Sequence, residues 1–222
     1  MDAIETQEYK GYQINIVQDE YPEDPREWEN LGRMLCAHKR YNLGDSLDCA
    51  APGWPKDWAQ CYSSWSEVEK AIYDDLGAGV CLPLYMYNHS GITIRTYPFN
   101  CPWDSGQIGY IYATRTDILA GFERKHLSSK LRQKIKAILT DEVEAYDQYV
   151  TGQVYGYMVE DKEGGVVDSC FGYYDISQPL DEAKDCIDWK IKERTKEHAK
   201  QVKNWIRNKV PFEYRYALAE TM

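Results

Sequence analysis

The residues best suited to chemistry crowd into one irregular stretch, Asp19 to Asp45, reading DEYPEDPREWENLGRMLCAHKRYNLGD. His38, Arg40 and Asp45 form a first candidate group. On a strand running from Met34 to Arg40, His38 and Arg40 share a face, because side chains two apart do so. A neutral imidazole beside a guanidinium and a carboxylate is the least apparatus for acid–base work or phosphate handling. A second segment, Trp103-Asp104-Ser105-Gly106, offers an acid and a hydroxyl. Asp104 and Ser105 would complete a catalytic set only if a base reached the hydroxyl, and the G-x-S-x-G elbow is absent. Asp-Ser-Gly is also ordinary turn chemistry, the Asp side chain bonding to backbone two residues on.

Asp19, Glu20, Glu23, Asp24, Glu27 and Glu29 put many carboxylate oxygens close together, as hard cations require. They lack the D-x-D-x-D-G order of a calcium loop, and Pro22 and Pro25 space them awkwardly. A solvated acidic loop with Arg26 as counter-charge is the simpler reading. Cys36, His38, Cys49 and Cys61 match no paired-ligand spacing for zinc. No metal and no cofactor is expected. The same loop supplies a candidate binding set instead: Asp24, Arg26, Trp28 and Asn30, joined by Trp103. Shaped loops rather than core segments carry such mixtures of residue types.

The composition narrows the function classes. The chain has 222 residues, a formal charge of −10, and 19 Tyr and 7 Trp against 4 Phe. Tyr and Trp suit half-buried sheet faces and binding surfaces, where one end packs and the other stays wet. The acidity argues against direct nucleic-acid binding, which needs basic surface to displace counterions. No apolar run approaches the roughly 18 residues that suggest a membrane span. The N-terminus, MDAIETQEYKGY, is acidic and polar, unlike a signal peptide. Seven scattered Cys, odd in number and without a CxxC pair, then fit reduced thiols in a cytoplasm.

The elements that must position these groups follow from periodicity. Tyr12 to Ile16 alternates as a strand, and Val80–Tyr87 pairs with Ile92–Tyr97 across Asn88-His89-Ser90-Gly91. Gln107–Thr114 is an aromatic strand. Val154–Glu160 and Val166–Tyr174 flank the turn Asp161–Gly165. Ser64-Trp65-Ser66-Glu67 has the capping-box form and opens a short helix. Leu131, Ile135, Ile138, Leu139, Val143, Tyr146 and Tyr149 make one helical stripe between Ser128 and Val150, with Gly152 as C-cap. Pro179 opens a last, heavily charged helix that ends before Pro211. Hairpins with interspersed helices, no βαβ alternation and no Gly/Ser-rich linker predict one α+β domain over residues 1–222. Its core would be a mainly antiparallel sheet, covered on one face by two long helices and one or two shorter ones.

Two blocks, PREWENLG with the following RYNLGD, and CPWDSGQIGYIY, resemble a family of uncharacterised proteins carried by bacteriophages and mobile elements of gut-type bacteria. The hairpin VYGYMVED…VVDSCFGYY is similar to that family's C-terminal half. The resemblance implies a setting, the cytosol of an infected or element-bearing cell, and no catalytic residue. Together with the acidity and the aromatic content it points to an accessory protein that binds a host protein or protein complex. Countering a host defence system is one version of that activity. The alternative is a small hydrolase or phosphate-handling enzyme using His38, Arg40 and Asp45 with Asp104 or Ser105. A third is an aromatic binder of sugar or peptide through Trp54, Trp58 or Trp103.

Overall fold

A computed structural model describes residues 2–214. In chain order the elements are β1 (Ala3–Tyr9), β2 (Tyr12–Gln18), β3 (Arg33–Cys36), α1 (Leu47–Ala50), α2 (Trp65–Asp74), β4 (Ala78–Asn88), β5 (Ile92–Arg95), β6 (Ser105–Thr114), α3 (Arg115–Gly121), α4 (Ser129–Thr151), β7 (Tyr155–Glu160), β8 (Val166–Tyr173) and α5 (Gln178–Lys209). The fold is α+β, and every strand pairing is antiparallel. The strands form two sheets, β1-β2-β7-β8 and β3-β6-β4-β5, where one had been expected. They belong to two compact units, one built from the segments up to Asp19 and from Tyr155 onward, the other from Glu20–Val154.

In the first unit, Ile14 and Ile16 of β2 alternate with Gln13 and Asn15 and bury against Tyr157, Val159, Ala183 and Ile187. This sheet is packed on one face by α5. β1 was not anticipated, because Ala3–Tyr9 is polar on both faces and almost wholly exposed. It is held mainly by backbone pairing to β2, with Tyr9 packing against the core. The hairpin between them turns through Lys10 and Gly11, with φ of 50° and 83°. Positive φ at both central residues is the turn that matches the twist of paired strands.

In the second unit the sheet is covered on both faces. The α4 side holds Met34, Leu84, Ile94, Ile111, Ile135 and Leu139. The other side holds Leu35, Trp58, Val68, Ile72, Tyr110 and Tyr112. The cause is β6, which alternates Tyr110 and Tyr112 with Ile111 and Ala113 and so has an apolar side chain for each face. An irregularity in the β4–β6 pairing near Ile108 puts that residue on the α4 side as well.

Local signals explain most boundaries. Ser64 and Ser128 cap α2 and α4 by accepting from the N–H of Glu67 and Leu131. Gly152 ends α4 in the left-handed region at φ 72°. The unanticipated α3 has the same logic, with Thr114 accepting from the Asp117 N–H at 3.0 Å.

Candidate functional site

The Asp19–Asp45 stretch is largely consumed by its own architecture. Asp24 accepts from the Arg26 N–H at 2.8 Å and so caps the 3-10 turn Pro25–Glu27. That turn delivers the Arg26 side chain, only 4% exposed, between two carboxylates. Arg26 grips Asp45 bidentately at 2.7 and 3.0 Å, donates to Glu142 on α4 at 3.3 Å, and donates to the Gly32 carbonyl at 2.7 Å. Glu142 Oε1 accepts from the N–H of Leu31 at 2.9 Å and Gly32 at 3.1 Å, and Asp45 from that of Met34 at 2.8 Å. The Asn30 amide donates to the Pro25 and Trp28 carbonyls. Gly32 lets the loop approach α4 closely, since a Cβ there would lie 2.5 Å from Leu139 Cδ2 and 2.7 Å from Glu142 Oε2, side chains that would have to shift.

Burial works against the Arg26 charge, but Asp45 and Glu142 outweigh it and hold its pKa above the ordinary value. Burial raises the Glu142 carboxyl, and the Gly32 N–H and Arg26 only partly offset this. Burial also pushes the Cys36 thiol and the Tyr146 phenol up to about 12. Every guanidinium nitrogen has a partner within the chain. The cluster is a lock that ties the loop to α4, and its groups are spent on one another. Of the proposed binding set, Asp24, Arg26 and Asn30 therefore serve the loop's shape, while Trp28 lies 44% exposed. Asp45 belongs to this lock and not to a site with His38.

An accessible site lies elsewhere on the same unit. β3 is an edge strand and ends at Cys36, short of the Arg40 expected. The chain beyond it, Ala37 to Lys39, forms a ridge between two depressions. The first, about 680 Å³, is walled by Tyr41, Trp58, Tyr62 and Trp65, with Lys39 and Lys56 on its rim. The second, about 640 Å³, is lined by Arg40, Trp103, Asp104, Ser105 and Gln107. Thus His38, Arg40, Trp103, Asp104 and Ser105 do come together.

The aromatic wall is built from the core outward. Trp65 meets Tyr110 of β6 edge-on at 6.0 Å, and the Tyr110 hydroxyl donates to the Trp65 carbonyl at 2.8 Å. Trp58, buried, then packs between Trp65 at 6.4 Å and Trp54 at 5.8 Å. Trp103 has no such support and is 92% exposed at the edge of the second depression.

The polar groups around these depressions have partners within the chain. His38 Nδ1 accepts from the N–H of Arg40 and of Tyr41, both at 3.3 Å, and its ring stacks on Tyr41 at 5.0 Å. These contacts hold the ring against its own loop through Nδ1 and do not engage Nε2. Ser105 donates its hydroxyl to the Cys101 carbonyl. Asp104 sits 3.2 Å from His89. Among the described residues no group of three or more His, Cys, Asp or Glu side chains is placed to hold a metal ion. No helix among the described residues is long and apolar enough to cross a membrane.

Sequence reasoning passed over Tyr41, Tyr62, Trp65, Lys39 and Lys56. The available signal was WPKDWAQCYSSW, whose rings recur every three or four residues next to polar groups. Comparison of the chain with protein-family models, curated proteins and solved structures finds no match.

Proposed function

We propose that the protein is a binding protein that captures a host protein through the aromatic groove flanking Ala37–Lys39. The observation that carries this reading is Trp103, 92% exposed beside a depression already lined with polar groups. An indole left in water contributes nothing to the fold, yet Trp is the residue most enriched where partners are held tightly. The adjoining depression offers aromatic walls for an apolar anchor. Lys39, Arg40 and Lys56 favour an acidic flank on the bound segment. The partner chemistry is therefore an extended protein segment with an apolar anchor beside carboxylates. The resemblance to proteins of bacteriophages and mobile elements sets this activity in a bacterial cytosol, with a component of a host defence complex as the target.

The test compares the wild-type protein with Trp103→Ala and Lys39→Glu as baits in host lysate at low salt, followed by titration of any stoichiometric partner. Trp103→Ala is expected to weaken binding by about 2 kcal/mol, as for an interface anchor. Recovery of no stoichiometric partner, or of one that Trp103→Ala holds equally well, overturns the reading.

A further inference from the structure

The charge of the chain is not spread evenly. From Lys190 to Lys209 the last helix carries eight Lys or Arg against two Glu, in a protein whose formal charge is −10. The apolar contacts of α5 with its sheet end at Ile191. The helix continues to Lys209, so its second half extends beyond the face that packs it.

Two of the cations are used by the sheet. Lys190 donates to the Val167 carbonyl and lies 3.4 Å from Asp168, and Arg194 donates to the Tyr12 hydroxyl at 3.2 Å. These residues lie on the same side of the helix as Ile187 and Ile191. Lys192, Lys196, Lys200, Lys203 and Arg207 lie on the opposite side, spaced by three or four residues, which places about one cation per turn. All five are exposed. Lys196 also meets Glu193 at 2.6 Å, an exposed pair that water screens. Trp189, 62% exposed, heads the same stripe. From Trp189 to Arg207 the helix rises about 27 Å, the length of this basic ridge.

We propose that this ridge binds the phosphate backbone of duplex DNA, a surface and partner beyond those of the groove. Charge complementarity selects a polyanion, since each phosphate met by a Lys or Arg releases condensed counterions. Shape selects the duplex. A helix about 10–12 Å across with an exposed basic face fits the major groove, about 12 Å wide, whereas single strands are held in concave channels. The net acidity that argued against nucleic acid averages over the chain and hides the local sign.

The test is fluorescence anisotropy of the full chain with a labelled mixed-sequence 20-base-pair duplex over a salt series. With four or five phosphates met, log K is expected to fall against log salt with a slope near about −4. Lys200→Glu with Lys203→Glu should flatten the slope by about two and weaken binding about a hundredfold at 50 mM salt. Lys130→Gln with Lys136→Gln, exposed cations of α4, should change neither, and circular dichroism checks that each variant keeps its helices. The proposal is overturned by a duplex that does not bind at 50 mM salt, or by a Lys200/Lys203 double variant that binds like the wild type. Equal or tighter binding of the single strand, or of polyglutamate at matched charge, overturns it as well. The Trp103→Ala variant should bind the duplex normally, so failure here and failure of the groove are told apart.

Discussion

Replacing Arg26 by Met is the sharpest test of the lock between the Asp19–Asp45 loop and α4. The unbranched thioether keeps much of the volume and removes the charge. Asp45 and Glu142, each with side chains 12% exposed, then face each other without the guanidinium that separated them. Removing one partner from a buried ion pair costs about 3–5 kcal/mol. The low end applies here, because Glu142 keeps the N–H of Leu31 and Gly32 and Asp45 keeps that of Met34. The measurement is urea unfolding followed by tryptophan fluorescence, and a loss of about 3 kcal/mol would lower a thermal midpoint by roughly 10 °C. The loss also has a pH signature. Burial already raises the Glu142 carboxyl, and losing Arg26 removes an interaction that lowers it, so the penalty is full above its folded pKa and shrinks as pH falls through it to the unfolded one. The defect should therefore narrow between pH 7 and pH 4. Adding Glu142→Gln to Arg26→Met should recover part of the stability at pH 7, since a neutral amide costs less to bury. A single-variant loss under about 1 kcal/mol, or one unchanged by pH, would refute the account of the lock as a buried charge cluster.

Gly109→Ala should uncouple β3 from β6, because a Cβ there would stand 1.9 Å from the Leu35 carbonyl oxygen; amide exchange at Leu35 and Cys36 reports it, and unchanged protection refutes it. Asp147→Asn should stabilise the protein at neutral pH. Burial raises the Asp147 carboxyl above its ordinary value even though it accepts from the Ile94 N–H at 2.6 Å. The cost of its charge is thus present above the folded pKa and gone below the unfolded one, so the gain should vanish in acid; a larger gain at pH 4 than at pH 7 would contradict this. Among the thiols, exposed Cys49 and Cys61 should react with a thiol reagent well before Cys81 and Cys36, whose pKa values burial raises. Fast labelling of Cys81 in the folded protein would show that the α2-side core is open.

What the amino-acid sequence determined by itself is the local grammar. Caps at Ser64 and Ser128, the stop at Gly152, the alternation of Tyr12–Ile16 and the stripe of α4 all act over a few residues, and each became the element it announced. The α+β class followed from that. Tertiary structure decided what depends on distant partners. Arg26 reads as the counter-charge of the loop acids around it, whereas its partners in the fold are Asp45 and Glu142, the latter 116 positions away. The strand expected to reach Arg40 stops at Cys36, so His38 leaves the sheet and its Nδ1 accepts from its own loop backbone. β6 draws apolar cover to both faces of its sheet, which no single strand can reveal about its neighbours. Capping and periodicity are short-range and written along the chain, whereas burial and charge pairing depend on which remote groups share the same low-dielectric space.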